Sequence, residues 1–260
     1  MDSPPEATPR PARPVTIATV VRAQTIARDM VRVVLTGDAL RTLPDLGFTD
    51  SYVKLRFGEA MRAYTIRSFD RDANELTIDF VVHGDVGLAG PWAASARPGD
   101  EISFVGPGGD WAPRPDADVH LLVGDESAIP AIGAALEALA PDARAEVFVE
   151  VASADHRHLL PMTTATSVTW VHRDEYGGEY GVGLVTAVVA AAAADWPGGD
   201  VEAFVHGNAD MVRPLRRYLL RDRGLDRSHL SISGYWRTGH TDEAWRAIKR
   251  DFNTAMDKDD

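Results

Sequence analysis

Residues 62–67 read Arg-Ala-Tyr-Thr-Ile-Arg, two guanidiniums, a phenol and a hydroxyl within six positions. In a strand, side chains alternate between faces, so Arg62 and Tyr64 share one face and Thr65 and Arg67 the other. One reading is a partly exposed strand with solvated arginines. The other is a ligand at the strand's edge or end, reached from both faces. Tyr64 offers a flat surface for stacking. Thr65 can donate or accept a hydrogen bond. Each arginine can grip phosphate oxygens in a fork. A flavin nucleotide has the three matching parts: a planar ring, a polar ring edge and a pyrophosphate.

Other stretches carry weaker signals. Gly124-Asp125-Glu126-Ser127 ends an apolar run and opens a helix for which Ser127 is the expected N-cap. A phosphate suits a helix N-terminus, but Asp125 and Glu126 oppose an anion, and the segment is not a GxGxxG fingerprint. A capped helix with acids in its first turn explains it equally. Ser233-Gly234-Tyr235-Trp236-Arg237 is either an aromatic plug between a strand and the last helix or a ligand-facing surface. Arg213, Arg216 and Arg217 could meet a 2′-phosphate or form a solvated helix face. His156 and His158 lack a third nearby ligand and read as a surface loop, so no metal site is expected. HExxH, P-loop and nucleophile-elbow patterns are absent from the sequence.

The elements that must position these residues divide in two. From Val15 to about Gly109, short β-branched and aromatic runs are separated by Gly, Asp, Asn or Pro turns, the pattern of an antiparallel barrel or sandwich. Residues 91–96, between two prolines, form the one short helix expected there. WAPRPDAD (111–118) reads as a proline-rich hinge. Beyond it, apolar strands alternate with helices, the mark of a parallel sheet covered on both faces. The expected division is a flexible tail over 1–14, a β-barrel over 15–115, an α/β domain over 116–240, and a C-terminal helix and tail over 241–260. Trp245, Ile248 and Phe252 form a helical stripe expected to pack on the body of the protein.

The totals set limits. The chain has 260 residues, enough for two domains, with 45% hydrophobic and 25% charged residues. It has no cysteine, which excludes disulfides, thiolate nucleophiles and cysteine-bound clusters or zinc. A net charge of -12 argues against nucleic acid and requires a local basic pocket for any anionic ligand. The N-terminus lacks a signal peptide's apolar core and no run is long enough to span a bilayer. The expectation is a cytoplasmic monomer without membrane insertion.

The 62–67 stretch resembles the Arg-x-Tyr-Thr-x-Arg motif of the siderophore-interacting proteins, flavoproteins of the ferredoxin–NADP reductase superfamily. DFVVHG (79–84), PWAASARPGDEISFVGPGG (91–109), GDESAIPAI (124–132) and SGYWRTGH (233–240) match further, in family order. The resemblance implies an FAD-binding β-barrel followed by a parallel α/β domain for NADH or NADPH. It implies that Arg62 and Arg67 contact FAD phosphates or nearby polar groups. It sets the two catalytic positions, Tyr64 and Thr65, against the isoalloxazine and its N5/O4 edge. Val81 and His83 form the next wall, and Gly87, Leu88, Ala89, Gly90 and Trp92 lie under the pyrophosphate. Gly90 stands where the family usually has serine or threonine, which loses a hydroxyl contact. Gly124, Asp125, Glu126 and Ser127 fall near nicotinamide and flavin, as do Gly207 and Asn208. Asn208 replaces a usual glutamate, so the choice of nicotinamide cofactor stays open. Tyr235 or Trp236 would face the flavin. Lys54 and Arg237 are candidate substrate contacts. The implied activity is reduction of a ferric siderophore, with NAD(P)H or a ferredoxin as donor. The alternatives are a general flavin reductase serving a ferredoxin or oxygenase, and a siderophore-binding protein without redox function.

Overall fold

The computed structural model describes residues 14–84, 87–196 and 198–258. The tail expected over 1–14 therefore lies, apart from Pro14, outside the described residues. Six antiparallel strands come first: β1 (Val15–Ala27), β2 (Met30–Thr36), β3 (Tyr52–Phe57), β4 (Ala60–Asp70), β5 (Glu75–Val81) and β6 (Glu101–Gly108). They close in the order β1-β2-β5-β4-β3-β6. Closure pairs every strand edge, and the inward residues Val33, Leu35, Leu55, Ile78, Phe80 and Phe104 fill the interior. Each fully buried side chain of this size contributes about 1.5–3 kcal/mol. The short helix α1 (Ala89–Ser95) packs Trp92 against Phe57 and Phe80. At Gly90 a β-carbon would come within 3.2 Å of the Val81 carbonyl, so glycine lets α1 approach β5 closely.

The second half is a parallel sheet of β7 (Val119–Gly124), β8 (Arg144–Val151), β9 (Ala165–His172), β10 (Val201–Asn208) and β11 (Leu230–Trp236), in the order β11-β10-β7-β8-β9. Helices α2 (Ile129–Ala138), α3 (Val182–Ala194) and α4 (Ala209–Arg217) cover its faces. That double cover is why β7 and β10 are buried at every position, their polar residues His120, Glu202, His206 and Asn208 included. Helix α5 (Asp242–Asp257) closes the chain, with Trp245 only 2% exposed and its Nε1 donating to the Gly234 carbonyl at 3.3 Å. This is a ferredoxin–NADP reductase-like architecture, a closed antiparallel barrel followed by a parallel sheet with helices.

Three local expectations need correction. The segment read as a hinge is tied down. Trp111 stacks on Phe204 and donates to Glu202 at 3.2 Å, while Arg114 pairs with Asp200 at 2.7 Å. Ser127 does not cap α2, because its hydroxyl donates to Asp125 at 2.5 Å and Ala128 occupies the N-cap. His158 is not a surface residue. Its side chain is 4% exposed and faces Asp29 of the barrel.

Candidate functional site

The sheet order reverses between β7 and β10. The chain winds outward through β8 and β9, then crosses back to β10 and β11. In open α/β sheets, ligands sit beyond the carboxyl ends of the strands at such a reversal. A cavity of about 1060 Å³ opens there, between the sheet, the barrel and α5. That is at the upper end of ordinary ligand pockets, which hold roughly 300–1,000 Å³.

The barrel supplies one wall. β4 carries Arg62, Tyr64 and Thr65 into it, β3 brings Lys54, and the end of β5 adds Val81 and His83. The Tyr64 ring lies 4.5 Å from Phe80, with part of its surface open to the cavity. Desolvation pushes its phenol up to about 12, so the hydroxyl stays protonated. Thr65 is 8% exposed and shares the cavity lining with Tyr235 from the other domain. Burial, and then the Asp50 charge, raise the Tyr235 phenol well above its usual range.

The sheet supplies the second wall. Asp125 follows β7 and is 1% exposed. Its Oδ2 accepts from the Asn208 amide at 2.7 Å and from Trp236 Nε1 at 2.8 Å. Its Oδ1 accepts from the Ser127 amide at 2.9 Å and the Ser127 hydroxyl. Burial and then the Glu126 charge raise the Asp125 pKa against these donors. Glu126 pairs with Arg173 at 2.5 Å, Arg173 reaches Glu150 at 3.0 Å, and Glu150 accepts from the Gly181 amide. The Arg173 guanidinium also lies 3.9 Å from the centre of the Tyr180 ring, which meets Trp236 edge-on. His206 stacks on Phe204, meets Tyr235 edge-on and bonds Ser231. Burial takes its pKa down to about 3, so it is a neutral wall rather than a proton donor.

Helix α5 supplies the third wall. Arg62 pairs with Asp242 and Glu243 in its first turn, and Arg246 bonds the Met61 carbonyl at 2.8 Å. Lys249 donates to Ser233 at 3.2 Å. Burial lowers its pKa, and the charges of Arg246 and Lys54 lower it further.

Of the residues singled out in sequence, the cavity gathers Lys54, Arg62, Tyr64, Thr65, Val81, His83, Asp125, Glu126, Ser127, Tyr235 and Trp236. Arg216, Ser233 and Trp245 line it as well. The remaining candidate site residues stand outside its lining. Arg67 forks with Glu137 of α2 at 2.6 Å for both bonds, its guanidinium lying against Gly133. Gly87, Leu88, Ala89, Gly90 and Trp92 belong to α1 and its approach. Gly124 packs against Ala128 and the His206 carbonyl, Gly207 and Asn208 lie against the Asp125 carboxylate, and Asn208 caps α4 by accepting from the Asp210 amide. Arg237 turns away to Asp210 at 3.0 Å. Tyr180, His206, Arg246 and Lys249 were missed. Their signal was weak: the first sits in a loop without a motif, and the last two lie on a helix whose apolar stripe reads as packing alone. Among the described residues no cluster of His, Asp or Glu could hold a metal ion, and no helix is long and apolar enough to cross a membrane.

Two family models match the chain: "Siderophore-interacting FAD-binding domain" over residues 58–111 and "Siderophore-interacting protein" over 117–239. The ferric vibriobactin reductase ViuB of Vibrio cholerae is 30% identical over 86% of this chain and 90% of its own. The crystal structure of a siderophore utilization protein from T. fusca superposes with a TM-score of 0.78 at 33% identity, covering 88% of this chain and 95% of that one. The ferredoxin–NADP+ reductase of Plasmodium falciparum matches with a TM-score of 0.65 at 10% identity over 84% of this chain and 95% of that one, a likeness of fold alone. The chain belongs to the siderophore-interacting protein family.

Proposed function

We propose that this protein reduces ferric siderophores with electrons passed through FAD. The observation that carries the reading is one cavity that holds both a flat aromatic–hydroxyl pair, Tyr64 and Thr65, and a group of cations, Lys54, Arg62, Arg246 and Lys249. These residues fit FAD. Tyr64 presents an open ring face for the isoalloxazine, Thr65 and Tyr235 present hydroxyls for its polar edge, and Arg62 faces the same space for phosphate. Val81 and His83 extend that wall. When bound, FAD would supply two-electron acceptance from NAD(P)H or a ferredoxin and one-electron transfer to iron.

The remaining work falls to the chain's own side chains. Burial first, and then the charges of Arg246 and Lys54, depress the Lys249 pKa, and an anionic chelate beside these cations stabilises the charged lysine. Tyr64 and Thr65 orient the ring and exclude water from it. No protein acid is required, since one NAD(P)H reduces two Fe(III) and releases one proton. Hard oxygen ligands bind Fe(III) far more tightly than Fe(II), so reduction loosens the chelate. The family membership and the named reductase relative support this reading.

The test is steady-state reduction of ferric catecholates and hydroxamates by FAD-loaded protein, with Fe(II) captured by a chromogenic chelator. Rates above free-flavin background are expected. Background rates with NADH, NADPH and reduced ferredoxin alike would overturn the proposal.

A further inference from the structure

Beyond Phe204, where the parallel sheet runs under α5, its barrel-facing side turns polar. Phe204 and His206 share that side of β10, and Ser231 and Ser233 stand beside them on β11, because Phe204 pairs with Ser231 and His206 with Ser233. His206 is 4% exposed and stacks on Phe204. Its Nε2 bonds the Ser231 hydroxyl at 2.9 Å, while its Nδ1 is buried with no hydrogen-bond partner among the described residues. A phenylalanine would continue the stack without that cost, so what the imidazole adds is the bond to Ser231. An unmet lone pair is tolerated more readily than an unmet N–H, which favours the tautomer with Nε2–H donating to Ser231. The Ser231 hydroxyl then keeps its own proton to donate.

Helix α5 is polar at the same place. Positions 245, 249, 253 and 256 fall on one helical face, and all four line the cavity. Trp245 and Met256, at 2% and 3% exposed, anchor the two ends of that face. Between the anchors, where a covering helix ordinarily carries apolar residues, stand Lys249 and Asn253. Lys249 is half-buried and donates to Ser233 at 3.2 Å, and among the described residues it forms no ion pair with a carboxylate. Ser233 accepts that bond and so, like Ser231, keeps a proton to donate. Tyr235 meets His206 edge-on and lines the same cavity as Thr65, so the polar corner adjoins the aromatic wall.

We propose that the corner formed by Ser231, Ser233, Lys249 and Asn253, with His206 positioning Ser231, anchors a carboxylate that the iron chelate carries outside its iron-binding groups. The inference rests on the reading of the chain as a ferric-siderophore reductase, and it names a substrate feature that the reading leaves open. One ammonium matches one negative charge. The ammonium, the two hydroxyls and the amide are donors for a group that accepts about four hydrogen bonds. A phosphate shares this chemistry but brings a second charge, and the next cations along the cavity, Arg216 and Arg227, both pair with Asp257.

The test is binding of redox-silent gallium(III) chelates to the FAD-loaded protein. A linear trihydroxamate with one terminal amine is succinylated, to carry a carboxylate, or acetylated, to carry none, so the metal centre is the same in both. The carboxylate form is expected to bind the wild type at least about tenfold tighter, the lower end for a hydrogen bond to a charged group. Ser233→Ala changes no charge, and it is expected to remove most of that preference while the neutral chelate stays within about twofold of its wild-type affinity. Lys249→Met removes the preference as well. A preference absent from the wild type, or one that survives both substitutions, overturns the proposal. A second measurement needs no variant: the His206 Nε2 resonance is expected to shift saturably with the carboxylate chelate and not with the neutral one, and no shift refutes the anchor. Inorganic phosphate and ADP are titrated alongside. A His206 shift at lower concentrations of either than of the carboxylate chelate assigns the corner to a nucleotide phosphate and overturns the proposal. Gallium(III) is not reduced, so these titrations report on the corner whatever the turnover, and failure of the reductase reading shows itself separately as absent flavin bands or absent iron reduction.

Discussion

Replacing Arg173 by methionine tests the network beneath the site. The guanidinium is 5% exposed and serves Glu126 and Glu150, themselves 3% and 1% exposed. Methionine keeps the volume and leaves two carboxylates without their cation. Breaking a buried pair from one side costs about 3–5 kcal/mol. Protonation sets an independent bound. A carboxyl with an unfolded pKa of about 4.3 costs roughly 3.7 kcal/mol to protonate at pH 7, at about 1.36 kcal/mol per unit. Glu150 keeps the Gly181 amide at 3.0 Å, so one such charge, that of Glu126, carries most of the loss. At about 2–4 °C per kcal/mol for a chain of this size, Tm falls by roughly 6–20 °C. The sign with pH follows from linkage. In the variant the folded carboxyls bind protons more tightly than the unfolded ones, so the deficit shrinks as pH falls from about 7 towards about 5. Urea denaturation followed by far-ultraviolet dichroism at both ends of that window measures it. Glu126→Gln in the Arg173→Met background recovers part of the loss. A deficit below about 1 kcal/mol, or one that does not change with pH, refutes the account of Arg173 as the charge holding this wall together.

Further outcomes follow from individual residues. Arg67→Met leaves FAD affinity within about threefold of wild type, because Arg67 is engaged by the half-exposed Glu137, and it costs at most about 1 kcal/mol of stability; FAD fluorescence quenching and denaturation measure the two, and a loss of affinity beyond tenfold would return Arg67 to the phosphates. Lys249→Met raises KM for an anionic ferric catecholate several-fold, with little change in kcat, and reduces the dependence on salt. Because burial and neighbouring cations lower the Lys249 pKa, the wild type loses chelate affinity on its alkaline side earlier than an exposed lysine would allow, and a KM–pH profile unchanged by the substitution would refute its role. His206→Phe makes the fold less acid-labile. A histidine held near 3 forfeits stability as pH falls below its unfolded pKa of about 6.5, at up to about 1.4 kcal/mol per unit, and phenylalanine has no proton to gain. Acid-unfolding midpoints measure the shift.

The fold was legible because its pattern is strong. Largely apolar, non-alternating runs such as VHLLVG (119–124) arise where both faces of a strand are covered, and alternating runs with Gly and Asn turns arise where one face is. The stretch 62–67 was legible as chemistry because a strand brings its residues near one edge whatever the details. What strand alternation could not settle is which partner each arginine finds. Arg62 and Arg67 look equivalent in sequence. They differ because α5 presents acids to one and α2 presents Glu137 to the other, from 180 and 70 residues away. Asp125 shows the same limit from the other side. Sequence reading rightly saw acids where a phosphate could approach. It saw a field opposing an anion, and not a carboxylate seated on the amides themselves, because Asn208 and Trp236 reach Asp125 only once β10 and β11 lie beside β7. Local sequence fixes which groups a turn offers. The strand order decides whether those groups are left for a ligand or taken by the protein.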